Sequence, residues 1–222
     1  MKPIRRTAPS AAITKVSFLI RRAQTSGFYG KIPARGDFVR DGLPRDFVDP
    51  WDAWLQRRMA DSREALGQDW LPAWLEAPVW RFRLQPGICG ACAVSGVLMP
   101  SVDRAGRHFP LTLACLAAPG EDPQDQDPAW LDQAEAAGIA AIERDLDPEA
   151  LAAMLVCPAH APAQGGRPPV LPAGGCVWWT AGAPRVVATG FATAALPDAT
   201  QFAGMLQSYP ADPPGDSNPQ KR

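Results

Sequence analysis

Three stretches decide the fold: Val79-Trp-Arg-Phe-Arg-Leu84, Cys92-Ala-Val-Ser-Gly-Val-Leu-Met99 and Phe109-Pro-Leu-Thr-Leu-Ala-Cys-Leu-Ala117. The first alternates apolar and basic residues, which predicts a strand with one face in water. The other two are nearly continuous apolar runs, as expected of central strands buried on both sides. The polar link Pro100-Ser-Val-Asp-Arg-Ala-Gly-Arg107 joins those two, with Gly106 free to take a positive φ. Strands that follow strands directly pair antiparallel. The block therefore forms the centre of a sheet.

Outward from this centre, the period changes. On the N-terminal side, Gly27 to Ile32 reads as a strand and Pro33-Ala-Arg-Gly-Asp37 as a loop. A helix follows, opened by Pro44 or Pro50, with Asp49 as a possible cap. Its apolar residues Phe47, Trp51, Trp54, Leu55, Met59 and Leu66 share one face of a 3.6-residue period. Trp51 and Trp54 are thus expected in the core. A short second helix, Asp69 to Glu76, stops at Pro78. On the C-terminal side, Asp127-Pro128 and Asp147-Pro148 start two helices, the second running through Leu155. A hairpin of Cys176 to Thr180 with Arg185 to Phe191 and a last helix, Pro197 to Gln207, complete the chain's elements. The expected class is α+β: one domain with a mixed, largely antiparallel central sheet and helices packed on its faces.

Composition bounds the function. Lys+Arg 22 against Asp+Glu 23 gives a net charge of −1, which argues against a protein built to neutralise nucleic-acid phosphates. No run of about 18 apolar residues exists to span a bilayer. Residues 1–26 read as a basic extension, with six Lys and Arg and no acid before Ala23. They lack the apolar core of an export signal, so the expected compartment is the cytoplasm, with reduced cysteines. The domain is expected over 27–208, followed by a polar tail at 209–222. Between Glu121 and Glu149 ten acids face only Arg144, a strongly negative stretch.

Familiar catalytic patterns are incomplete. Cys89-Gly-Ala-Cys92 is a C-x-x-C pair, but it leads into a strand and lacks a second pair, so two inert thiols are the simpler reading. Ser101, Asp103 and His108 lie too close on one hairpin to form a relay with the base in the middle. His160 sits in a Pro-rich loop with no acid nearby in sequence. Gly27-Phe-Tyr-Gly-Lys31 lacks the spacing and hydroxyl of a phosphate loop. Asp37, Asp46, Asp49 and Asp103 show no metal-ligand spacing. No cofactor or metal is therefore expected. What remains is surface: Lys31, Arg35, Asp37, Asp103, Arg104 and Arg107 in two Gly-containing loops. They are candidates for a partner-binding patch at one sheet end, and bracing of the loops by Arg–carboxylate pairs is an equal reading.

Several longer motifs, in order, carry a resemblance. They are Gly27-Phe-Tyr-Gly-Lys-Ile-Pro-Ala-Arg-Gly-Asp-Phe-Val39, Pro50-Trp-Asp-Ala-Trp-Leu55, Ala77-Pro-Val-Trp-Arg-Phe82, Gly96-Val-Leu-Met-Pro-Ser-Val-Asp-Arg-Ala-Gly-Arg107 and Phe109-Pro-Leu-Thr112. Together they closely resemble the TagF (ImpM-like) accessory proteins of bacterial type VI secretion. The resemblance implies a non-catalytic cytoplasmic regulator. It implies a post-translational repressor of secretion assembly that acts with a forkhead-associated (Fha-type) scaffold protein, and a PppA-like phosphatase as a separate partner. The alternative is a hydrolase or metal-dependent enzyme using the Asp/Arg loops; the scarcity of His and the missing nucleophile and ligand motifs favour the first.

Overall fold

The computed structural model describes residues 25–118, 128–155 and 175–208. The stretches 1–24 and 209–222, most of the Pro-rich loop with His160, and the acidic segment before Pro128 lie outside the described residues.

Seven strands form one sheet: β1 Thr25–Gly30, β2 Val39–Asp41, β3 Trp80–Leu84, β4 Val94–Met99, β5 Leu111–Leu116, β6 Cys176–Thr180 and β7 Thr189–Thr193. Their spatial order is β2-β1-β5-β4-β3-β6-β7. Every neighbouring pair is antiparallel, so the α+β expectation holds and the sheet has no parallel pair. The long hairpin read from the two apolar runs is β4–β5, with Gly96 opposite Ala114. β1 begins at Thr25 and ends at Gly30, opposite Leu111. The ladder stops there because Pro110 has no N–H to give.

Five α-helices are described: α1 Arg45–Leu66, α2 Trp70–Leu75, α3 Pro128–Glu143, α4 Pro148–Met154 and α5 Ala199–Leu206. They cover both faces. On one face Phe47, Trp51, Trp54 and Leu55 of α1, Trp74 of α2 and Phe202 of α5 meet Trp80, Phe82, Leu98 and Trp178 from the sheet. On the other, Trp130, Leu131, Ala134 and Ala137 of α3 and Leu151 of α4 meet Phe28, Val97, Met99, Leu111 and Leu113. Trp51 is fully buried and its indole N–H donates to Thr112 Oγ1 at 2.9 Å. Trp54 donates to the Pro197 carbonyl at 2.8 Å, tying α1 to the entry of α5. Both indoles are therefore core residues with their one polar group satisfied, as the helical period implies.

Asp147 and Asp198 cap α4 and α5 through their carboxylates, the second in a reciprocal box with Gln201. Asp49 does not cap: α1 already starts at Arg45 after Pro44, and Pro50 lies inside the helix. Pro50 there withholds a single N–H, from the Asp46 carbonyl, and the apolar face that continues through it holds the helix together.

The β3 alternation does not put one face in water. Arg81 is held by Asp132 and Glu135 of α3 at 2.8 and 2.7 Å, and Arg83 is fully buried beside Trp179. A basic residue in a strand signals a wet face only when no acidic helix covers it, and α3 supplies that cover. The C-terminal hairpin is also longer in its turn than expected. Ala183 and Val186 bridge each other, Val186 turns into the core, and the second strand starts only at Thr189.

Candidate functional site

Lys31 leaves the end of β1 beside the β4–β5 connection, and this places the two charged loops against each other. Asp103 is the hub. Its Oδ2 accepts from Lys31 Nζ at 2.8 Å and from Arg107 Nε at 2.7 Å. Its Oδ1 accepts the backbone N–H groups of Ala105 and Arg107, each at 2.9 Å. This is the local turn chemistry that Asp favours, completed by Gly106 at φ 79°. Both side chains of the Lys31–Asp103 pair are almost wholly withdrawn from solvent. Burial alone pushes the Asp103 carboxyl upward. The Lys31 ammonium and the donors of Arg107 and Ala105 outweigh it, so the carboxyl sits well below its ordinary range.

The two loops are also stitched through the backbone. Arg104 N–H donates to the Arg35 carbonyl at 2.9 Å, and Ser101 Oγ donates to the Lys31 carbonyl at 2.7 Å. The Arg104 guanidinium donates to the Ala34 carbonyl and that of Arg107 to the Gly36 carbonyl. Of the six residues singled out by sequence, Lys31, Asp103, Arg104 and Arg107 thus brace one knot. Arg35 and Asp37 ride on its outside. Arg35 reaches Glu149 of α4 at 3.6 Å with both side chains largely exposed, and Asp37 accepts from the Phe38 N–H beside it.

Sequence reasoning passed over Phe38. Its ring is 43% exposed, stacked on Tyr29 at 5.7 Å and edge-on to Phe109 at 4.8 Å, with Lys31 Nζ 5.1 Å from its centroid. The available signal was an aromatic directly after a Gly-Asp turn, where burial is hard to achieve. Tyr29 in turn donates to Asp52 of α1 at 2.5 Å, and burial followed by the Asp52 carboxylate pushes its phenol far up. The result is a rigid platform: an aromatic and mixed charge on top, a buried ion pair beneath.

The residues considered for chemistry are engaged elsewhere. Ser101 serves the Lys31 carbonyl, Asp103 serves the knot, and His108 lies against the rings of Trp70 and Trp74. Burial and nearby Arg63 push the His108 imidazole down. Cys89 is buried, donates to the Phe47 carbonyl at 3.4 Å, and has its thiol pushed up to about 12 by burial and then by Asp46. Among the described residues, no three His, Cys, Asp or Glu side chains converge in a metal-binding group. Nor is any described helix long and apolar enough to cross a membrane.

Comparison with known proteins gives two findings. Residues 27–156 match the family described as the TagF N-terminal domain, type VI secretion system-associated. The fold matches the crystal structure of PA0076 from Pseudomonas aeruginosa PAO1 with a TM-score of 0.73 and 37% identity, over 86% of this chain and 97% of that one. The search of curated proteins gives no match.

Proposed function

The chain belongs to the family of TagF N-terminal domains associated with type VI secretion, and from that premise we propose that it is a cytoplasmic, non-catalytic repressor that restrains assembly of the secretion machine after translation. Membership supports an accessory or regulatory role. The finer reading is that the protein acts by binding an Fha-type scaffold through the loop platform, with any PppA-like phosphatase a separate chain. The observation that carries it is the knot itself. A buried ion pair and three backbone-directed side-chain donors hold two loops rigid, while Arg35, Asp37, Phe38 and the outer edge of Arg107 are left for a partner. Loops fixed on a sheet end at low entropic cost are suited to recognition, and exposed aromatic and Arg side chains are the usual anchors.

Titration calorimetry of the full chain against a purified Fha-type protein tests this. Arg35→Ala and Phe38→Ala should each weaken binding by about 1–2 kcal/mol. Their melting temperatures should stay close to wild type, since neither side chain is buried. Unchanged affinity in both variants would remove the platform from the interface and turn attention to the acidic face of α3 and α4.

A further inference from the structure

The two edges of the sheet are built differently. β2 is three residues long, carries Arg40 and Asp41 outward, and has α4 beside it. Short, charged and covered, it resists pairing with another chain. β7, Thr189-Gly-Phe-Ala-Thr193, has five residues, no charge and no proline. Thr189, Gly190 and Ala192 are exposed, and among the described residues no strand pairs with its outer side. Its outer N–H and C=O groups form a template for one more strand.

We propose that β7 is a self-association edge, on which a second copy of this chain pairs antiparallel through its own β7 about a two-fold axis at Phe191. The sequence favours a copy over a foreign segment. About Phe191 the strand is nearly palindromic, so self-pairing sets Thr189 against Thr193 of the second copy, Gly190 against Ala192, and Phe191 against Phe191. Thr–Thr and aromatic pairs are favourable cross-strand partners, and no like charges oppose. A cavity of about 330 Å³ flanks the strand, lined by Trp80, Phe191, Gln201 and Gly204 among others. It lies on the side of the sheet where Phe191 already meets Trp80 edge-on at 5.6 Å, so the two Phe191 rings would close over one continuous apolar strip. A two-fold contact of this kind is isologous and closes on itself, giving a dimer and no fibre.

Sedimentation equilibrium on the full chain, from low to high micromolar concentration, tests the proposal. The wild type should shift reversibly from the 23.8 kDa monomer toward twice that mass. Ala192→Lys should raise the dimer dissociation constant by at least about tenfold, because the two like charges then lie diagonally across the axis, within reach of each other. Ala192 is exposed, so the variant should fold; its circular dichroism and melting should match wild type. Mixing Ala192→Lys with Ala192→Glu should restore a mixed dimer, an outcome that a general loss of stability cannot produce. Hydrogen exchange at 189–193 should slow as wild-type concentration rises. A wild type that stays monomeric throughout, or a dimer indifferent to both charge variants, would overturn the assignment. An edge that instead protects only on adding another protein would do the same.

Discussion

Lys31 Nζ donates to Asp103 Oδ2 at 2.8 Å, locking the exit of β1 to a loop 72 residues further along the chain. The pair is withdrawn from water, and the carboxylate takes further donors from Ala105 and Arg107. Removing Asp103 strands the Lys31 ammonium, Arg107 Nε–H and two backbone N–H groups together, whereas removing Lys31 leaves the carboxylate its Arg107 and backbone donors. Asp103→Leu should therefore lower the melting temperature more than Lys31→Met. A Lys31→Met protein at least as destabilised as Asp103→Leu would mean that the Arg107 and backbone donors add nothing; differential scanning calorimetry on the two variants and the wild type decides it.

The same carboxylate gives a pH dependence with a fixed sign. The folded protein holds Asp103 below its ordinary range, so at low pH the unfolded chain takes up the proton first. The stability from this group is complete above its unfolded value of about 4 and is lost as pH falls below it toward the folded value. Melting temperature should fall on acidification below pH about 4 in the wild type. Asp103→Asn should start lower and fall less steeply over that window. Parallel slopes for the two proteins would assign the acid sensitivity to other carboxylates.

The sequence and the fold agree where a period is long. The apolar spacing of Phe47, Trp51, Trp54, Leu55 and Met59 marks the buried face of α1, and all five side chains are buried. β4 and β5 are equally legible because strands buried on both faces need apolar residues throughout. β2 was hidden: three residues, two of them charged, carry no alternation to read. Asp49 looked like a cap because Asp-Pro is a start signal, but Pro44 offers an earlier one. At the site, loop composition revealed the charged residues but not their pairing. That Asp103 finds Lys31, while Arg35 finds Glu149, depends on the β1–β5–β4 register and on where α4 lands. No local signal encodes either.

Trp54 carries a prediction about packing. Its ring lies 4.8 Å from Trp51 and 5.7 Å from Phe202, and its N–H reaches the Pro197 carbonyl. Trp54→Ala should cost about 3–5 kcal/mol by emptying this space. Trp54→Phe keeps most of the ring and strands the carbonyl, so it should cost about 1–3 kcal/mol. Urea unfolding followed by circular dichroism gives both values. A Trp54→Ala protein of wild-type stability would show that α5 does not depend on this indole.

Thiol reactivity separates Cys89 from Cys92. Cys89 is buried with its thiol pushed up to about 12, so near pH 8 the reactive thiolate is scarce. Cys92 is half-buried and reachable. Iodoacetamide applied to the native protein should modify Cys92 far faster than Cys89, as read by peptide mass spectrometry. After urea unfolding the two rates should converge. Equal native rates would mean that the 86–93 loop opens readily.

Gly96 makes the sharpest prediction about the sheet. It sits in β4 between Phe82 of β3 and Ala114 of β5. A Cβ there would lie 2.5 Å from the Leu113 carbonyl oxygen and 2.5 Å from Phe82 Cζ. The carbonyl belongs to the central ladder, and the Phe82 ring is wedged against Trp51 at 4.9 Å and Trp178 at 5.0 Å. Neither can withdraw without moving the strand or the Trp cluster. Alanine ordinarily gains about 0.5–1 kcal/mol over glycine inside a strand by reducing unfolded-state freedom. Overpacking of about 1–3 kcal/mol outweighs that gain here. Gly96→Ala should therefore destabilise, against the propensity trend. Gly36→Ala is the control, since nothing lies within 4 Å of its added Cβ. It should stay within about 0.5 kcal/mol of wild type. Both are read from urea midpoints at unchanged slope. A Gly96→Ala protein at least as stable as wild type would mean that Phe82 can shift within the cluster, and that the β3–β4 contact is softer than its geometry implies.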